Sequence, residues 1–155
     1  MDFIDLFTFE MTTRNSKTKR TSNPANSMLR DIQDRKDIKL LINTFYEKAR
    51  TDKDLGYIFD EVAKVDWENH MPIMYDFWEN ALFHTGNYKR NAMQVHVDLN
   101  EKIALTKEHF DTWLTIFKST VDELFKGEVA NNAKTRAISI ATMIQLKIYN
   151  QSNTF

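Results

Sequence analysis

His96 stands in AMQVHVDL, residues 92–99, between Val95 and Val97. An imidazole in that setting has two uses. It is a core histidine satisfied by a nearby carbonyl, or it is a metal ligand, since neutral imidazole is a good donor to iron, zinc or copper. The chain has three other histidines, His70, His84 and His109, and no cysteine. Thiolate metal sites, disulfide frameworks and cysteine nucleophiles are thereby excluded. A di-iron carboxylate centre needs paired Glu-x-x-His elements on facing helices. Here only Asp66 and Glu68 stand near His70, with no matching second element. Ala92 and Met93 lie four and three residues before His96, so a short helix would bring all three to one side. One imidazole on a mainly apolar platform suits a planar apolar cofactor that carries its own metal.

The elements that would position these groups are helical. Three glycines and two prolines in 155 residues are too few turn-formers for a many-stranded sheet. Ile38, Leu41, Ile42, Phe45 and Ala49 mark one helical face, with Gly56 expected to close that helix. Asp66 can cap a second helix, which carries His70, Met74, Phe77, Trp78 and Ala81; Pro72 means that it starts nearby or bends there. A third helix follows Thr106, with Leu105 and Phe110 spaced as a hydrophobic staple and Glu108 at the positive dipole end. Its apolar stripe includes Trp113, Leu114, Phe117 and Val121 and ends at Gly127. A fourth places Ala133, Ala137, Ile140, Ala141 and Ile144 on one face. The connection Leu82–Leu105 is too long for a plain link; such a segment is functional or has a short helix of its own. The chain reads as one all-α domain without internal repeats.

Composition narrows the function classes. A 42% hydrophobic chain of this length supports a single core. A net charge of −1 and a pI near 6.4 give no general pull toward nucleic acid or anionic membrane. No apolar run approaches the roughly 18 residues of a membrane span. The start, MDFIDLFTFEM, is interrupted by Asp2, Asp5 and Glu10 and does not read as a signal peptide. A cytoplasmic setting fits the lack of cysteine. Residues 11–30 carry five basic groups and no acid. We read 1–29 as a flexible basic extension, 30–150 as the folded domain and 151–155 as a disordered tail. A basic arm touching an acidic partner is the functional alternative for the extension.

Five segments together resemble a known family. FYEKARTDKDLGYIF (45–59), WENHMPIMYDFW (67–78), YKRNAMQVHVDL (88–99), HFDTWLTIFKSTVDELFKGE (109–128) and AKTRAISIA (133–141) look like truncated haemoglobins of the third group, in order and with matching spacing. The resemblance spans roughly residues 30–149. It implies a truncated globin fold, a helical sandwich around haem b. It also implies that His96 is the proximal iron ligand, that Tyr46, His70 and Trp113 face the ligand on the distal side, and that Phe59 packs on the haem. Phe45, Met74, Phe77 and Met93 would belong to the cofactor's surroundings. The sequence departs from the family pattern at Arg90, where glycine is usual, and at Ala92, often proline. Both lie just before His96. Arg90 then faces a haem propionate or is a solvated surface side chain.

Elementary chemistry agrees with these roles. A single axial protein ligand leaves the opposite face of the iron open. The second ring nitrogen of His96 needs an acceptor, most simply a backbone carbonyl one turn back. Tyr46 offers an O–H and Trp113 an N–H to a ligand that draws negative charge; without the resemblance, both read as core aromatics with a polar tip. His70 would bond the ligand, swing as a gate, or ligate iron itself. His84 and His109 read as structural. The implied ligands are dioxygen, nitric oxide, carbon monoxide or peroxide. Nitric oxide oxidation or peroxidase-like turnover would draw on an external reductase. Redox or gas sensing, electron transfer and a cofactor-free helical interaction module are the competing readings. The oligomeric state is open.

Overall fold

The computed structural model describes residues 29–153. Apart from Leu29, the expected basic extension lies outside the described residues, as do positions 154 and 155. Six α-helices follow one another: α1 (Arg35–Thr51), α2 (Lys53–Tyr57), α3 (Trp67–Phe83), α4 (Ala92–Lys102), α5 (Lys107–Leu124) and α6 (Glu128–Ser152). A π-helical turn, Ile58–Val62, runs on from α2. Among the described residues there is no strand. The fold is all-α, as the periodicity and the scarcity of turn-formers require. Helix α6 continues two residues into the stretch read as a tail.

Local chemistry sets the boundaries. The Asp34 carboxylate accepts from the amides of Lys36 and Asp37 at 2.8 and 3.2 Å and starts α1. Gly56 does not close that helix. The chain breaks at Asp52, whose ψ of 135° is extended and whose carboxylate caps α2 by accepting from Asp54 and Leu55. Gly56 instead sits inside α2 against the Arg50 carbonyl, where a Cβ would collide. Asp66 caps α3 as expected, accepting from the Asn69 amide at 3.3 Å, and α3 begins five residues before Pro72. At α5, the Thr106 amide donates to His109 Nδ1 at 3.0 Å. His109 thereby takes the place that Glu or Gln holds in a capping box.

The core is divided. Its larger part joins α1 to α3 and α5, with Phe45, Phe117, Leu41 and Ile42 sealed inside. The small residues Ala130, Ala133 and Ala137 let α6 approach this part closely. A smaller cluster of Phe110, Ala141 and Ile144, joined by Met93 and Leu105, lies where α4 meets α6. Helix α4 packs chiefly on α6, with Ala92 reaching the larger core. The start of the described chain is clamped to the start of α6. Asp31 accepts from the Val129 and Ala130 amides at 2.9 and 2.8 Å, and any side chain at Gly127 would strike that carboxylate.

Candidate functional site

The long connection carries a short helix, α4, started by Asn91, whose side chain accepts from the Gln94 amide at 3.1 Å. Proline is favoured at a first helical position. Ala92 does without it because Asn91 supplies the cap. His96 Nδ1 lies 2.7 Å from the Ala92 carbonyl, one turn back. An oxygen acceptor there makes Nδ1 the donor, and Nε2 keeps its lone pair. Burial holds the His96 pKa below its ordinary value, against the opposing pull of the Ala92 bond, so the ring is neutral near pH 7. The side chain nevertheless keeps part of its surface free.

His70, on α3, has its pKa lowered first by burial and, to a smaller extent, by the charge that His96 carries when protonated. Tyr46 Oη lies 3.3 Å from His70 Nε2, at the long end for a hydrogen bond. Burial pushes the Tyr46 phenol well above its ordinary pKa, which keeps the O–H as a donor. Trp113 stacks on Phe117 at 5.4 Å and 5° and meets Phe45 edge-on at 5.4 Å. Among the described residues its indole N–H has no hydrogen-bond partner, and the side chain is only half-buried. Tyr46, His70 and Trp113 are thus held in one aromatic frame with Phe45, Phe59 and Phe117.

The remaining candidates divide by exposure. Phe59, Met74 and Met93 are half-buried and have surface to offer a cofactor. Phe45 and Phe77 are 1% and 8% exposed. Phe45 therefore acts from behind, touching Tyr46 at 4.9 Å as well as Trp113. Phe77 packs on Tyr88 at 5.0 Å. Arg90 is exposed, and its charge is felt at the Tyr88 phenol. His84 ends α3 in the left-handed conformation at φ 56°, a structural role. Among the described residues, no three His, Asp or Glu side chains gather to hold a bare metal ion. A metal brought by a planar cofactor needs only the one ligand, and the donor set fits that group.

Trp67 was missed by the motif reading. It is the first residue of α3, three before His70, and its ring lies 5.2 Å from Tyr46 and 5.8 Å from His70. The available signal was this spacing, which puts both side chains on one helix face.

No protein-family model matches the chain. Over 115 residues it is 32% identical to group 3 truncated hemoglobin ctb of Campylobacter jejuni, covering 72% of this chain and 88% of that protein. The crystal structure of group III truncated hemoglobin from Campylobacter jejuni matches with a TM-score of 0.69 at 30% identity. That match covers 79% of this chain and 96% of the other.

Proposed function

The chain belongs to the group 3 truncated haemoglobins, and on that premise we propose that it holds haem b on His96 and binds a small diatomic ligand beside Tyr46, His70 and Trp113. The observation that carries this is the 2.7 Å bond from His96 Nδ1 to the Ala92 carbonyl. It leaves Nε2 as a bare, oriented donor in desolvated surroundings, which is what an axial ligand requires. Haem, when bound, supplies an iron centre with one open face for dioxygen, nitric oxide, carbon monoxide or peroxide.

The protein's own groups do the rest. Phe59, Met74 and Met93 offer apolar surface that keeps water from the macrocycle. Arg90 provides a charge for a propionate at the edge. Tyr46 aims an O–H dipole, and Trp113 an N–H dipole, at negative charge that develops on a ligand, and such donors, fixed beforehand, need no reorganisation. His70, held neutral beside Tyr46, gives the pair a proton acceptor as well as a donor. Simple carriage does not need that. The pair favours turnover of the ligand, by nitric oxide oxidation or peroxide reduction with electrons from an external reductase.

His96→Ala tests the reading. The purified variant should lose its haem and its Soret band while keeping helical circular dichroism. Full haem occupancy with an unchanged ferrous spectrum would refute the proximal role.

A further inference from the structure

Trp67 joins the Tyr46–His70 pair to an exposed ion pair. Its inner side meets Tyr46, Phe59 and His70, with ring centroids at 5.2, 5.8 and 5.8 Å. On its outer side, the Arg50 guanidinium stands 4.4 Å from the ring centroid. The indole Nε1 donates to Asp60 Oδ1 at 2.9 Å. Arg50 in turn pairs with Asp60 at 3.3 Å. These three residues come from three elements: the end of α1, the π-helical turn and the start of α3. The Arg50 and Asp60 side chains are 43% and 36% exposed.

The strengths matter here. An exposed ion pair and an exposed cation–π contact are each weak, because water and salt screen them. They hold a closed arrangement that thermal motion can break. The backbone beneath is suited to movement. The π-helical turn, a form frequent at functional sites, sets Asp60 beside the indole. Lys64, between that turn and α3, has a φ of 49°, a left-handed conformation that a non-glycine residue adopts at a cost.

We propose that Arg50, Trp67 and Asp60 form a latch over the distal space, which sets how fast a small ligand enters and leaves but not how tightly it is held. This rests on the haem reading above. A latch scales association and dissociation by the same factor for every gas. A group that bonds the ligand changes affinity, and does so selectively.

The test uses the full-length haem protein with Arg50→Gln, which keeps length but removes the charge, and Trp67→Phe, which keeps a ring but removes the N–H. Carbon monoxide and dioxygen association and dissociation are measured at low and high salt. Both variants should accelerate all four rates by about two- to fivefold, with affinities unchanged. Wild-type rates should rise with salt, and Arg50→Gln rates should not. Amide hydrogen exchange across residues 58–66 should quicken in both variants, while α4 stays at wild-type rates. Unchanged rates and exchange, or a change in dioxygen affinity alone, would overturn the latch. A missing Soret band in the wild type would instead refute haem binding, with the exchange experiment still deciding whether the latch exists.

Discussion

Helix α1, 17 residues long, buries Asp37, Ile38, Leu41, Ile42, Phe45 and Ala49. Helix α4, 11 residues long, buries Val97 alone. The first is wedged between α3 and α5, where aromatic rings interlock: Phe45 meets Trp113 and Phe117 at 5.4 Å each, and Trp78 stacks on Phe117 at 4.5 Å. The second leans on α6 over a small cluster. Burying one valine contributes about 1.5–3 kcal/mol, whereas ordering a backbone costs roughly 1–2 kcal/mol for each residue. Helix α4 cannot stand on its own burial. One half of the site thus has a large core of its own and carries Tyr46, His70 and Trp113. The other half carries His96 and draws its order from α6 and, on our reading, from the cofactor.

The sharpest contrast should come from the cores of the two halves. Phe45→Ala removes a ring that supports both Tyr46 and Trp113 and should cost about 3–5 kcal/mol of stability. Val97→Ala, with two methyl groups fewer, should cost about 1.5–2.5 kcal/mol. Urea unfolding of the two variants checks the order, and equal losses would mean that α4 is held more firmly than its burial indicates.

Removing haem probes the same difference without mutation. Amides of α4 should exchange at least about a hundredfold faster in the apo protein, the equivalent of some 2.7 kcal/mol of lost ligand stabilisation. Amides in the middle of α1 should change far less. Uniform acceleration across both helices would show one cooperative unit in place of two.

A smaller effect belongs to the firm half alone. Bidentate bonding from Arg30 at 2.7 and 2.6 Å holds the Asp37 carboxyl below its ordinary range, against the opposing effect of burial. A lowered carboxyl pKa stabilises the fold fully above the unfolded value of 3.8 and loses that contribution as pH falls below it toward the folded value. Acid titration of wild type should therefore show a loss of stability beginning near pH 3.8. Arg30→Gln should begin from a lower stability at neutral pH and show less of that acid-dependent loss. Parallel titrations of the two would mean that the pair contributes nothing.

Much of this was legible in the residues. The five apolar positions read as the first helix face are all buried. The Asp66 cap, the Leu105–Phe110 staple and the His96 bond to a carbonyl one turn back also follow from local spacing alone. What escaped is long-range or ambiguous. Asp52 ends one helix and caps the next, a double use that a glycine stop rule does not anticipate. Asp31 grips α6 nearly a hundred residues away. The Arg50–Trp67–Asp60 cluster joins three elements whose juxtaposition depends on the π-helical turn. Periodicity reports which face is buried; it does not report which exposed groups meet across a corner.

The central claim is that the firm half presents hydrogen-bond donors to a ligand held over His96. Tyr46→Phe keeps the ring and removes only the hydroxyl. A bond to a charged or partly charged acceptor is worth about 1.5–3 kcal/mol, and each 1.4 kcal/mol is about tenfold in an equilibrium constant. Dioxygen dissociation, measured by stopped-flow displacement, should accelerate roughly ten- to a hundredfold in this variant. Carbon monoxide draws little charge, so its dissociation should change far less. Trp113→Phe should act in the same direction, and the double variant should be non-additive if both donors serve one ligand. Equal acceleration of both gases, or none of either, would contradict a donor role for Tyr46 and leave the distal residues as gatekeepers only.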